Sequence, residues 1–259
     1  MNEDSCVILS VITVVAYDLE RLKVSLKSYV GAPSNVQFVL VYPEADSKTE
    51  TYVKKFLSEN KLRISIIYDL GKGVYPAMNL GSKQSIGEYL MFWNAGDTCF
   101  STENLNKLIR DLNRNKPIWG FTQASFNWRE PQALNTENVK NFVLQRGGYV
   151  SHQTLVARNS DFNYLGGFDE SLKVAADYKL IAKLWQFGKV SFFDYEVVGV
   201  EFPNFSAQNN RIGRIENVKT LFQAIPSKFV IISMLFILKR ECNYLYRRIC
   251  RLLLRNGEK

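Results

Sequence analysis

The sequence predicts an α/β fold, with a mostly parallel sheet flanked by helices, from three observations. Runs rich in β-branched residues alternate with segments of helical apolar spacing from residue 7 onward. One such run, Glu88 to Trp93, is apolar enough for a strand covered on both faces, and it stops at the turn sequence Asn94-Ala95-Gly96-Asp97. The 259 residues are 46% hydrophobic and 22% charged, which supports one large core and excludes disorder, collagen and coiled coil.

The first strand is expected over Val7 to Ala16. Glu3 and Asp4 stand where a secretory signal would carry lysine or arginine, and no small-residue cleavage site follows, so this run reads as part of the mature fold. Asp18 to Val30 is the first helix, with Leu19, Leu22, Leu26 and Tyr29 at helical spacing. Then come a strand over Val36 to Tyr42, a helix over Lys48 to Asn60, a strand over Leu62 to Tyr68 and a helix over Tyr75 to Ile86. After the Glu88 to Trp93 strand, Ser101 caps a helix reaching Asn115, because its hydroxyl can accept a first-turn N–H. Pro117 to Thr122 is another strand. The pattern then becomes irregular, with Trp128, Pro131 and Gly147-Gly148 in an expected long loop, until order returns at Ser151-His152-Gln153, then at Leu165 to Glu170 and in a helix from about Ala175 to Phe187. No repeat or linker divides residues 1–225, which are expected to form one domain.

Charge separates that domain from residues 226–259. The net charge is +8, but Lys228, Lys239, Arg240, Arg247, Arg248, Arg251, Arg255 and Lys259 all lie in this tail against only Glu241 and Glu258, so the first 225 residues carry just +2. Phe229 to Leu238 has Ser233 as its only polar residue. As a helix it covers about half of a ~30 Å hydrocarbon core and does not span it. Farther on, Leu245, Ile249, Leu252 and Leu253 share one helical face, with Arg247, Arg251 and Arg255 on another. The expectation is a basic amphipathic helical tail lying on an anionic membrane surface, the alternative being a helix packed on the body or on another subunit. Basic charge confined to an apolar tail, without a recognition motif, argues against a nucleic-acid partner. Cys6, Cys99, Cys242 and Cys250 form no C-x-x-C pair and His152 is the only histidine, so neither a disulfide framework nor a structural zinc site is expected.

Ligands of parallel α/β sheets bind at the carboxyl ends of the strands. Asp97 stands there, and beside Ala95 and Gly96 its carboxylate would let a divalent cation and a diphosphate approach the backbone. The same four residues also make an ordinary turn, and the residues alone leave both readings open.

The run Gly73-Val74-Tyr75-Pro76-Ala77-Met78-Asn79-Leu80-Gly81, then Gly87-Glu88-Tyr89 and Asn94-Ala95-Gly96-Asp97, resembles a subgroup of the family 2 glycosyltransferases, that of bacterial colanic-acid, exopolysaccharide and O-antigen biosynthesis. His152-Gln153, Gly166-Gly167-Phe168-Asp169-Glu170 and Ala176-Asp177-Tyr178 match the H-Q, G-G-F-D and A-D-Y segments of that subgroup, in order, over roughly residues 8–205. The resemblance implies a GT-A fold over residues 1–225, a nucleotide-diphosphate sugar donor and inversion at the anomeric carbon. It implies a lipid-linked or growing oligosaccharide acceptor, and the tail adds a place, the cytoplasmic face of the cell membrane.

By the same resemblance Asp97 would hold Mg²⁺ or Mn²⁺ against the diphosphate, and Asp177 would be the general base that takes the acceptor's proton. Asp177 also has a plainer reading, since a carboxylate is favourable in a helix's first turn. Asn79, Asn94, Gly96 and His152 fall in matched segments and are expected at the donor site, His152 without an assigned role. Gly166 and Gly167 would permit a tight turn in the acceptor-side wall, and Arg211 and Arg214 are candidates for clamping the diphosphate. Tyr42, Gly71 and Pro76 stand where the family carries acids, so Glu44 or Asp69 is expected to substitute on the nucleotide side. Those departures keep one alternative open, a catalytically inactive glycosyltransferase-like subunit that binds a partner enzyme or a glycan.

Overall fold

The apolar runs of the first half form strands in the expected order. The computed structural model describes residues 6–126, 134–146, 150–201 and 210–224, together with 230–231, 233–239 and 242. Strands β1 (Leu9–Val14), β2 (Val36–Pro43), β3 (Ile64–Asp69) and β4 (Tyr89–Asn94) are parallel, with β1 in register with β2 on one side and β4 on the other. Helices α1 (Leu19–Tyr29), α2 (Ser47–Glu59) and α3 (Val74–Lys83) make the crossovers. Asp18 accepts the Arg21 N–H at the start of α1, and Ser101 caps α4 (Thr102–Asn115) by accepting the Asn104 N–H at 3.2 Å.

Both faces of this sheet are covered, which is why its strands read as continuous apolar runs. On one face Ile12 and Val14 pack with Val39, Val41, Met78 and Phe92. On the other, Leu9 and Val11 pack with Leu22, Leu26, Phe38, Met91 and Leu105. The alternation follows the period of two along β1. Helix α3 lies close against the first face, for a Cβ at Gly81 would fall 2.5 Å from Ile12 Cγ2 and 2.9 Å from Val41 Cγ2. Buried polar groups on β1 are paired: Ser10 Oγ donates to Gln37 Oε1 at 2.6 Å, and Thr13 meets the Tyr29 hydroxyl at 2.8 Å.

The second half departs from the simple alternation. Strands β5 (Thr98–Cys99), β6 (Trp119–Phe126), β7 (Leu155–Arg158) and β8 (Val190–Val200) complete an eight-stranded sheet of order β3-β2-β1-β4-β7-β6-β8-β5. β7 runs antiparallel to both β4 and β6, and β5 antiparallel to β8. The region expected as a long loop contains the end of β6 and α5 (Thr136–Val143), and β7 and α6 (Asn159–Tyr164) follow it. These elements are four to eight residues long, too short for a clear period in the sequence, and α5 is held by a reciprocal Asn135–Asn138 capping box instead. Trp128, Pro131 and Gly147-Gly148 lie outside the described residues.

Helix α7 (Ala176–Phe187) packs against α8 (Asn210–Ala224). Residues 233–239 are helical, and there Ser233 and Ile237 turn inward, Ile237 joining Leu221 in the core cluster of the first sheet face. The opposite side leaves Ile231, Leu235 and Leu238 exposed by 71%, 62% and 55%. The expected amphipathic segment from Leu245 to Arg255 lies outside the described residues. Among the described residues no helix is long and apolar enough to cross a membrane.

Candidate active site

The carboxyl ends of β1 to β4 open into a cavity of about 620 Å³, within the size range of cofactor and small-ligand sites. Tyr17, Asp18 and Arg21 line it from the β1–α1 turn, Asp69 to Tyr75 from the β3–α3 turn, Asn94 and Asp97 from the end of β4, and Glu170 to Lys173 from the segment before α7. Glu201, just past β8, completes the wall. Neither Lys72 nor Lys173 has an ion-pair partner among the described residues, so the cavity carries two uncommitted positive charges.

Asp97 is the most deeply set of the lining carboxylates, 2% exposed. Its two oxygens accept the N–H groups of Asn94 at 2.8 Å and Glu201 at 3.1 Å, tying the β4 turn to the end of β8. Gly96 makes that turn possible: its φ is +101°, and a Cβ there would collide with Glu201 Oε2. Glu201 Oε2 is buried and ion-paired with Arg21 Nε at 3.2 Å.

Burial raises the Asp97 pKa to about 6, against the opposing pull of the two backbone N–H groups and of nearby His152. A raised folded-state pKa means that ionising Asp97 opposes folding. The associated stability is fully present below the ordinary carboxylate value of 3.8 and is lost as pH rises through about 6. An effect on the order of 3 kcal/mol follows at metal-free neutrality. The difference in unfolding free energy between parent and Asp97→Asn, measured by urea melts from pH 4 to pH 7, is expected to carry this slope. A flat difference would show that Asp97 ionises without penalty.

His152 and Asp177 form a second group. His152 sits in a 3-10 turn (His152–Thr154) that is tied to β4 by the Trp93 indole N–H, which donates to the Gln153 carbonyl at 3.1 Å. Its Nδ1 lies 3.5 Å from Asp177 Oδ2, with side-chain exposures of 15% and 18%, and its Nε2 is buried without a hydrogen-bond partner. The Tyr75 hydroxyl donates to the Val174 carbonyl at 2.6 Å and lies 3.4 Å from Asp177 Oδ1. Tyr75 lines the cavity, so it connects the Asp177 group to the cavity wall.

The structure thus brings Asp69, Asn94 and Asp97 to one cavity, with Gly96 in its turn, and pairs His152 with Asp177 beside it. Glu44 is exposed after β2 and is not among the lining residues. Asn79 is buried away from the cavity lining: its amide donates to the Phe168 carbonyl and to Glu170 and accepts the Phe168 N–H, clamping α3 to the Gly166–Glu170 turn. Gly167 adopts φ +64° there, where a Cβ would crowd Asn79 Oδ1 at 2.7 Å, so the matched Asn and Gly-Gly segments serve one packing contact. Arg214 lies on α8 and does not line the cavity, and the Arg211 side chain lies outside the described residues. Arg21, Lys72, Lys173 and Glu201 were not legible as site residues. Only Lys72 carries a local signal, its position between Gly71 and Gly73 at the end of β3.

The class defined by this sheet order, with a cavity at the carboxyl ends of its parallel half, is the mixed α/β GT-A-like fold of glycosyltransferases. Among solved structures, Staphylococcus aureus TarS residues 1–349 superposes with TM-score 0.66 at 17% identity, over 89% of this chain and 69% of that one, and it is also known in complex with UDP. The mannosyltransferase PcManGT of Pyrobaculum calidifontis, in complex with GDP-Man and Mn²⁺, gives TM-score 0.64 at 15% identity over 88% and 69% of the two chains. In sequence, the PGL/p-HBAD biosynthesis glycosyltransferase of Mycobacterium tuberculosis is 24% identical over 190 residues, 71% of this chain and 72% of the relative. No protein-family model matches the chain.

Proposed function

We propose that the chain is an inverting glycosyltransferase that moves one sugar from a nucleotide-diphosphate donor to a lipid-linked or growing glycan in bacterial surface polysaccharide biosynthesis. One observation carries the reading. Asp97 and Glu201, joined by the Glu201 N–H that Asp97 accepts, line the same cavity as Lys72 and Lys173. Acids placed to meet a cation and lysines placed to meet phosphate oxygens together suit a ligand that carries a metal-bound diphosphate. The UDP and GDP-Man complexes of the structural neighbours support a nucleotide sugar as that ligand.

The residues present fit a divalent cation. Among the described residues no three His, Cys, Asp or Glu side chains cluster for metal binding, but a cation bound with a diphosphate needs only one or two protein carboxylates. Asp97, with Glu201, would hold Mg²⁺ or Mn²⁺, as the Mn²⁺ in PcManGT supports. When bound, it would neutralise charge growing on the leaving diphosphate. Lys72 and Lys173, both in the cavity lining, would meet the same phosphates. Asp177 would take the acceptor hydroxyl's proton as that oxygen attacks the face of the sugar opposite the diphosphate. His152, through Nδ1, would keep the Asp177 carboxylate oriented.

A thermal-shift screen of UDP- and GDP-sugars with and without Mn²⁺ tests the donor. A donor at about 100 times its dissociation constant should add about 2.7 kcal/mol of stability. The Lys72→Met/Lys173→Met double variant should lose at least about tenfold in affinity, the equivalent of one charge-assisted contact. No metal-dependent shift with any nucleotide sugar would refute the donor assignment.

The place of action follows from the tail. Full-length protein is expected to sediment with vesicles containing anionic lipid, less so at high salt, and Arg247→Gln/Arg251→Gln/Arg255→Gln should release it. Charge substitution is the better test because Ile237 belongs to the core cluster and truncation would open it. Binding unaffected by salt and by the three substitutions would count against a membrane-surface tail.

A further inference from the structure

We propose that Glu216 on α8 is a positioning residue for the transfer reaction, holding the turn Lys173–Ala175 and through it the carboxylate of Asp177. The proposal rests on the reading of Asp177 as the general base.

One carboxylate accepts three consecutive backbone N–H groups. Glu216 Oε1 takes that of Lys173 at 2.8 Å, and Oε2 takes those of Val174 at 2.8 Å and Ala175 at 3.0 Å. These donors belong to Ala175, the N-cap of α7, and to the two residues before it, ahead of the first-turn N–H groups that an N-cap side chain serves. A residue more than forty positions away supplies their acceptor. The bonds are charge-assisted, roughly twice as strong as neutral ones. Two further contacts fix the same three residues. The Tyr75 hydroxyl holds the Val174 carbonyl, and Gly213, three residues before Glu216, lets α8 lie against Val174, since a Cβ there would fall 2.9 Å from Val174 Cγ1.

Asp177 follows this turn by two residues. Its distance to His152 is therefore set by where α8 holds the chain. A displacement of a reacting group by about 1 Å can cost a hundredfold in rate, so loss of the Glu216 contacts should reach the chemistry although Glu216 itself does not line the cavity. Glutamine in place of Glu216 retains one acceptor oxygen and turns an NH₂ group toward the remaining N–H donors.

The single histidine makes the test specific. In protein carrying no histidine tag, the imidazole NMR signals of His152 report the position of the Asp177 carboxylate. Parent, Glu216→Gln, Asp177→Asn and the double variant form a cycle. Glu216→Gln is expected to move the His152 signals in the parent background, at least half as far as Asp177→Asn does, and to leave them unmoved in the Asp177→Asn background. It should also lower kcat at least tenfold, with donor KM within threefold of the parent. Equal His152 displacement in both backgrounds would overturn the proposal, as would a fall in Tm with the His152 signals and kcat unchanged. If Asp177→Asn keeps near-normal transfer, the general-base reading fails, while the His152 cycle still decides whether Glu216 sets the place of Asp177. Gly213→Ala provides a second route should Glu216→Gln not fold. It displaces α8 with the carboxylate intact, and it should move the His152 signals in the same direction and by less; no movement would count against the proposal.

Discussion

Asp177→Asn should reduce turnover at least about a hundredfold while donor affinity stays within a few-fold of the parent, because general-base catalysis contributes roughly 10²–10⁴ in rate. The structure makes this substitution cleaner than the sequence allowed. A first-turn carboxylate can serve simply to cap its helix; Glu216 holds the N–H groups of Lys173 to Ala175, ahead of the first turn, and one first-turn N–H is held by Asp177. Its Oδ1 accepts the Tyr178 N–H at 2.7 Å, a bond that an asparagine oxygen can keep. The Tyr75 proton is committed to Val174 at the shorter distance, so the variant leaves no new unpaired donor there. Single-turnover transfer with saturating donor and acceptor, alongside nucleotide binding by thermal shift, measures both halves. Near-normal transfer would assign the base to another residue. No transfer by the parent across a broad donor and acceptor panel would favour the non-catalytic subunit.

Asp97→Asn is expected to abolish the Mn²⁺-dependent part of nucleotide binding, a loss of at least tenfold in affinity. The carboxylate is the one acidic side chain set at the end of β4, and its charge is what a cation would pair with. Two effects on the empty protein oppose each other. The amide supplies one acceptor for two backbone donors, which costs stability, while removing a buried charge whose pKa is raised to about 6 restores some. The melting temperature should therefore change little near neutrality. Mn²⁺-dependent stabilisation equal to that of the parent would remove Asp97 from the metal site.

The Asn79 segment shows how far a motif reaches. Gly73 to Gly81 marks the helix that closes the cavity, and it does so through Gly73, Tyr75 and the close approach at Gly81. Its asparagine belongs to packing, bound on three sides to Phe168 and Glu170. Motif membership records that a residue type is needed, and either a ligand or a neighbouring turn can be the cause.

What the sequence by itself determined is the parallel half: β1 to β4, their crossover helices, the cap Ser101 of the helix that follows, and the carboxyl-end turn bearing Asp97. Those features follow from local patterns, continuous apolar runs for strands covered on both faces and short polar side chains at helix starts. Tertiary structure alone decided the antiparallel insertion of β7 between β4 and β6, the arrival of Glu201 beside Asp97 from 104 residues away, and the Glu216 clamp on the entrance of α7. Hydrophobic periodicity records which side of a segment is buried and carries no information on which distant segment buries it. A carboxylate such as Glu216 or Glu201, polar and in no local pattern, becomes readable only when the folded chain shows which N–H group or empty cavity it faces.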